Sequence, residues 1–361
     1  MIRTALLVLT VLAACTRNPP ATTAISRDAF TRISPESAGY SAAGLDSLRT
    51  FLERAGSESV MLLYDGKVFF EWGDIRRKRL VHSIRKPLLH ALIGAAGAPP
   101  CLNLDNTLAS LGITDSPVLL TAAEQQATLR QVLQSRSGVY IASAAESEGM
   151  AAERPARGSH APGTFFYYNN WDFNVAGAIY ERCTEKKIHT AFYEQIAKPL
   201  GMLDYRQRIV EVSDDNIPTD DGVDGFRMYE RAFSQYPAYH FRLSTHDLAL
   251  FGQLYLNRGA WRGRQLVPAE WIDQSTQPVS IINERYGLAY GMLWDVLVPD
   301  AGESRPSFYH TGLGVHMLGV YPRHKLVLVH RVNTEQAYRF DDAALNQMIR
   351  LVHGARMSSR R

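Results

Sequence analysis

Strand-like runs lie near the two ends of this chain, and this distribution limits its possible folds more than any other feature. Residues 60–64 and 67–72 flank Asp65-Gly66, a dipeptide suited to a tight hairpin turn. Strand character returns at 288–296, 315–321 and 326–332, the last two joined by Pro322-Arg323-His324-Lys325 into a second hairpin. The stretch between reads as helix and loop, with helical segments at 128–133 and 171–181. Hairpins at both ends can share one sheet only if the middle is set aside as a lobe. The fold class expected is α+β: an antiparallel sheet assembled from both ends and flanked by helices, beside a mainly helical lobe. The sheet part covers about 32–98 and 285–356, the lobe about 99–284, and a basic tail 357–361.

Local signals place the remaining elements. Ser41 caps a helix carrying Leu45, Leu48 and Leu52 at helical spacing, ending near Gly56. Ser244-Thr245-His246-Asp247 reads as a capping box for a helix over 248–257, with Gly259 past its end. Asp341 and Asp342 lead a last helix with Leu345, Met348, Ile349 and Val352 on one face. The acidic stretch 214–224 reads as a surface loop.

A formal net charge of +3 over 361 residues, with no long basic run, argues against nucleic-acid binding. The 11 histidines are scattered, and neither His-Glu-x-x-His nor paired Cys-x-x-Cys occurs, so no metal and no other cofactor is expected. Residues 1–14 read as an export signal, with Arg3, an apolar run, then Leu12-Ala13-Ala14-Cys15. A small-residue site followed directly by cysteine resembles the lipobox of bacterial lipoproteins, which implies a lipid on Cys15. Residues 15–31 would then tether the domain to a membrane, facing the periplasm. A plain cleaved signal or an uncleaved anchor is the alternative. Such a compartment permits disulfides, and the pairing of Cys101 with Cys183 stays open.

The chemistry-bearing stretch is Ser83-Ile84-Arg85-Lys86, at the front of an apolar helical run. A serine that starts a helix has a lysine three residues on lying on the same face. A serine hydroxyl needs a base to take its proton, and a lysine serves only if burial or nearby positive charge keeps it neutral. By itself the pair is also what an ordinary capped helix start would show.

Two further motifs follow in order: Tyr168-Asn169-Asn170 and His310-Thr311-Gly312. Ser-x-x-Lys, Tyr-x-Asn and His-Thr-Gly together resemble the serine hydrolase superfamily of class C β-lactamases, D,D-peptidases (penicillin-binding proteins) and related esterases. The Tyr167 to Asn169 frame is set aside because the family's glycine seven residues after the asparagine is matched by Gly177 only in the chosen frame. The resemblance implies a five-stranded antiparallel sheet and a site made of these motifs.

It implies Ser83 as the acylated nucleophile, with Lys86 and Tyr168 moving the proton. A phenol in that role is expected to have its pKa depressed by the lysine. Asn170 would hold a substrate carbonyl through its side-chain amide, and His310, Thr311 and Gly312 would line the substrate. The backbone N–H groups of Ser83 and Leu313 would receive the oxyanion, with Gly312 and Gly314 letting substrate approach. His310 stands where many β-lactamases and D,D-peptidases have lysine, which moves the expectation toward an esterase or amidase. A D,D-peptidase or weak β-lactamase is the alternative, and a noncatalytic cell-envelope binding protein on the same fold is another. Pro87 after Lys86 is a departure that could displace the lysine, and Ser135 stands where the family often has histidine. Ser135 is read as loop structure, Arg85 as a solvated charge, Trp171 as core and Asp172 as a helix-start acid. A monomer acting on a small or peptide-like ester or amide is expected.

Overall fold

The computed structural model describes residues 29–214, 216–220 and 222–357, so Cys15 and the export signal lie outside the described residues. Five strands form the antiparallel centre of the main sheet, in the order Lys67–Gly73, Ser59–Tyr64, Leu326–Arg331, His316–Tyr321 and Phe308–Gly312. The hairpin from each end of the chain thus meets the other where Ser59–Tyr64 pairs with Leu326–Arg331. The sheet is larger than five strands, however, and reaches nine. Thr31–Arg32 adds a parallel edge, and Asp295–Leu297, Leu288–Tyr290 and Ser280–Asn283 extend the other side.

Both faces of the central strands are buried, and alternate residues serve different cores. Val60, Leu62, Leu326 and Leu328 pack with Leu45, Leu48 and Leu52 of the helix Ala42–Ala55 and with Leu345, Met348 and Val352 of the helix Asp342–Gly354. Met61, Leu63, Val327 and Val329 turn the other way, into the core shared with the helices Arg85–Ala95 and Thr245–Leu256. Ser41 Oγ accepts the Gly44 N–H, and Gly56, at φ +81°, closes the first helix.

Several local expectations change. The run 288–296 is two strands rather than one. The N–H of Met292 is taken by Ser275 and that of Leu293 by Leu133, both from distant segments, and the chain reverses between Tyr290 and Asp295. The capping box at Ser244 is half present: Ser244 Oγ accepts the Asp247 N–H, but Asp247 Oδ2 accepts the Asp204 and Tyr205 N–H groups. The middle of the chain also contains a second sheet of four strands, ordered Arg79–Leu80, Ala238–Leu243, Gly225–Tyr229 and Ile209–Ser213. Cys101 and Cys183 are joined in a disulfide, tying the turn Pro100–Leu102 to the end of the helix Asn170–Thr184.

Candidate active site

The nucleophile candidate sits on a 3-10 turn, His82–Ile84, that runs directly into the helix Arg85–Ala95. His82 has φ +48°, an unusual conformation for a residue with a side chain, and its Nε2 lies 2.8 Å from Thr334 Oγ1. Lys86 Nζ lies 2.8 Å from Ser83 Oγ. Pro87 does not displace it, because the third residue of a helix has an N–H without an intrahelical partner and loses nothing as proline.

Lys86 is buried, with Nζ 4.4 Å from the ring centroids of both Tyr168 and Phe173. Burial, then the charge of Arg85, holds its pKa well below the ordinary lysine value, while Asp295 acts the other way. The neutral amine is therefore favoured over what an ordinary lysine allows, and in that form it can accept the Ser83 hydroxyl proton. Arg85 is not the solvated charge expected from the sequence. It is 2% exposed, lies over the Tyr239 ring at 4.6 Å, and donates to Asn174 Oδ1 at 3.1 Å and Asn170 Oδ1 at 3.4 Å.

Tyr168 corrects a second expectation. Its phenol pKa is raised, chiefly by burial and then by Asp295, so the depressed value expected from the lysine does not occur. The phenol stays protonated, and its hydroxyl faces His310 Nε2 at 3.5 Å. The segment is fixed by Ser135, read from sequence as loop structure. Ser135 Oγ donates to the Tyr167 carbonyl at 2.7 Å and accepts the Asn169 N–H at 2.9 Å, gripping the backbone on both sides of Tyr168.

Asn170 opens the helix Asn170–Thr184 beside the cleft, but its amide is already engaged. Its Nδ2 donates to the carbonyls of Ala144 and Ala145, which fixes the orientation of the amide at the cleft wall. Trp171 and Asp172 are fully buried, the former donating to Asp115 at 2.6 Å.

His310 lies on the strand Phe308–Gly312 and is buried. Burial above all pushes its pKa down to about 3, so it is a neutral imidazole. Its Nδ1 lies 2.8 Å from the Thr311 carbonyl, which assigns the proton to Nδ1 and leaves Nε2 as the acceptor toward Tyr168. Gly312 also meets a packing requirement. A Cβ there would lie 2.7 Å from the Val81 carbonyl oxygen and 3.1 Å from His82 Cβ. The strand thus presses against the nucleophile turn, bringing Leu313 and Ser83 to one cleft of about 390 Å³.

Sequence reasoning missed Asp295, at the start of an outer strand. Burial raises its pKa to about 7, and its Oδ2 lies 3.9 Å from His310 Nδ1. No motif marks it, so only the folded strand order reveals it. Among the described residues, Asp204, His246 and Asp247 form a group with metal-ligand chemistry. None of them lines this cleft, and the carboxylates of Asp204 and Asp247 already accept hydrogen bonds from Ser244 Oγ and from backbone N–H groups.

The Beta-lactamase family model matches residues 53–350. No curated protein sequence matches the chain significantly. Among solved structures, a Bacillus anthracis protein designated a 6-aminohexanoate-dimer hydrolase is 16% identical, with a TM-score of 0.64 over 91% of this chain and 89% of that one. The octameric penicillin-binding protein homologue from Pyrococcus abyssi is also 16% identical, with a TM-score of 0.62 over 86% and 77%. A penicillin-binding protein homologue from Caulobacter crescentus is 17% identical, with a TM-score of 0.60 over 88% and 99%. At such identities these likenesses are of fold. With the family match spanning most of its length, the chain belongs to the Beta-lactamase family.

Proposed function

We propose that the protein is a serine hydrolase that cleaves an ester or amide through an acyl-enzyme on Ser83. The observation that carries this reading is the 2.8 Å contact between Ser83 Oγ and a buried Lys86 whose pKa is held down. Ser83 Oγ attacks the substrate carbonyl carbon as its proton passes to the Lys86 amine. The oxygen that gains the negative charge lies toward the Ser83 and Leu313 N–H groups. Tyr168, protonated at rest, gives its proton to the leaving oxygen or nitrogen and is reprotonated from the Lys86 ammonium. Water then attacks the acyl carbon along the same proton path in reverse, releasing the acid and restoring Ser83.

Neutral His310 supports an esterase or amidase over a D,D-peptidase or β-lactamase, because a buried uncharged imidazole offers no cation to a substrate carboxylate. The test is p-nitrophenyl butyrate hydrolysis by the purified mature protein. Turnover lost in Ser83→Ala and in Lys86→Met supports the reading. Turnover of benzylpenicillin but not of the ester would move it to the β-lactamase alternative, and normal folding with no turnover of either would favour the noncatalytic binding protein.

The reading includes an envelope location with a lipid on Cys15. Leu12-Ala13-Ala14-Cys15 supports it, as does a disulfide of the sort an oxidising compartment maintains. Release from the membrane fraction on Cys15→Ser tests it.

A further inference from the structure

The cleft at Ser83 does not end at its Leu313 wall. A second chamber of about 770 Å³ shares Leu80, His82, Ile217 and Leu313 with it, so these four residues form a partition common to both. Lys86 and Tyr168 border only the first cavity. A leaving group served by Tyr168 therefore lies away from the second chamber, and the acyl portion of a substrate is the part directed into it.

The inner wall of this chamber is basic. Arg79 and Arg242 line it, and among the described residues lining it Glu335 is the only carboxylate. Behind them the buried Arg331 donates to the Leu243, Arg79 and Leu80 carbonyls. Glu58 pairs with Arg79, and Glu335 pairs with both Arg79 and Arg242. Three buried guanidiniums thus face two carboxylates. Burial pushes the Arg331 pKa down to about 9, while Glu58 holds it up and Arg79 works against it.

Arg242 carries the second observation. It is 1% exposed, tied by its terminal nitrogens to Glu335 and to the Pro218 and Asp220 carbonyls, while its buried Nε has no partner. An unfilled guanidinium N–H in a positively charged recess is a site for an anion, since it both compensates the charge and satisfies the donor.

We propose that this chamber is a specificity pocket for a substrate with a carboxylate on the acyl chain, received by Arg242. The proposal rests on the hydrolase reading for the placement of the acyl chain. It assigns the substrate class as half-esters or half-amides of dicarboxylic acids, a preference His310 does not supply.

The test compares p-nitrophenyl hydrogen glutarate with p-nitrophenyl valerate, which differ by a carboxylate in place of the terminal methyl. Binding is measured calorimetrically to Ser83→Ala, which needs no turnover. The glutarate is expected to bind roughly tenfold more tightly, with the difference shrinking as salt rises. Arg242→Gln in the Ser83→Ala background should abolish the preference. Should that double variant fail to fold, Glu335→Gln gives an independent test, because removing the acid should widen the preference. Equal affinity for the two esters, or a preference that Glu335→Gln leaves unchanged or narrows, would overturn the proposal. Wild-type protein that binds the glutarate selectively but hydrolyses neither ester would contradict the hydrolase reading and leave the pocket standing.

Discussion

Arg85 is buried immediately before Lys86, and its charge works with burial to hold the lysine pKa down. The lysine pKa is lowered, so the neutral base is present at pH values where an ordinary lysine is a cation. Ester hydrolysis should therefore be active near neutrality. Replacing Arg85 with Gln removes a cation that lowers the lysine pKa, so the acid limb of the kcat/KM profile should move to higher pH. A limb that stays in place would show that Arg85 does not tune Lys86.

Ser135 is the support of Tyr168, through its bonds to the Tyr167 carbonyl and the Asn169 N–H. Ser135→Ala leaves both groups buried without that partner, at about 1–3 kcal/mol of stability. Tyr168 should lose its position as well, lowering kcat about 10-fold to 100-fold with a smaller change in KM. Thermal unfolding and steady-state kinetics together check this. A loss of stability with unchanged kcat would make Ser135 purely structural.

Gly312 packs on Val81 and His82, where a Cβ would come within 2.7 Å of a backbone oxygen. Backbone cannot swing aside as a flexible side chain can. Gly312→Ala should push the Leu313 strand from the nucleophile turn and reduce acylation by about 100-fold, the scale of one lost oxyanion donor. Single-turnover acylation rates measure it.

Buried histidines set the response to acid. His82, His90, His310 and His330 are pushed to about 3, and His189 to about 4, in each case chiefly by burial. The unfolded chain therefore binds more protons than the folded one from about pH 6.5 downward, and stability falls as pH drops through this window. Asp295, raised to about 7, works in the opposite direction between pH 7 and its ordinary value of 3.8. Asp172 and Asp247 are raised as well, but His240, His316, His324 and His353 are lowered too, and the nine histidines outweigh the three acids. The melting temperature should fall steadily from pH 7 to pH 4.5, and Asp295→Asn should raise stability more at pH 8 than at pH 5.

The Cys101–Cys183 disulfide spans 82 residues of sequence. Loop-closure entropy for such a span gives up to about 4.5 kcal/mol. Cys101→Ser with Cys183→Ser should lower the denaturant midpoint markedly while leaving the Ser83–Lys86 pair assembled. Equal midpoints with and without reductant would contradict this.

What could be read in advance follows from how local each signal is. The end hairpins were legible because Val60 to Leu63 and Leu326 to Val329 alternate between two cores beside clear turn residues. The strand Ala238–Leu243 was not, because its buried polar residues, His240 and Arg242 among them, hide a strand pattern. The three site motifs could be named, but not the ionisation of their residues. Arg85 looked solvated because Asn174 and Tyr239, which enclose it, arrive from distant elements. Tyr168 looked acidified because the motif shows the lysine and conceals both the burial and Asp295. The Ser135 hydroxyl bonds to groups more than thirty residues on.

Covalent capture of Ser83 tests the central claim most directly. Purified protein is treated with a fluorophosphonate, and intact mass is compared between wild type and Ser83→Ala, with peptide mapping of the adduct. The account predicts one adduct on Ser83, absent from the variant and greatly slowed in Lys86→Met. A well-folded wild type that remains unmodified, or carries the adduct on another residue, would contradict it.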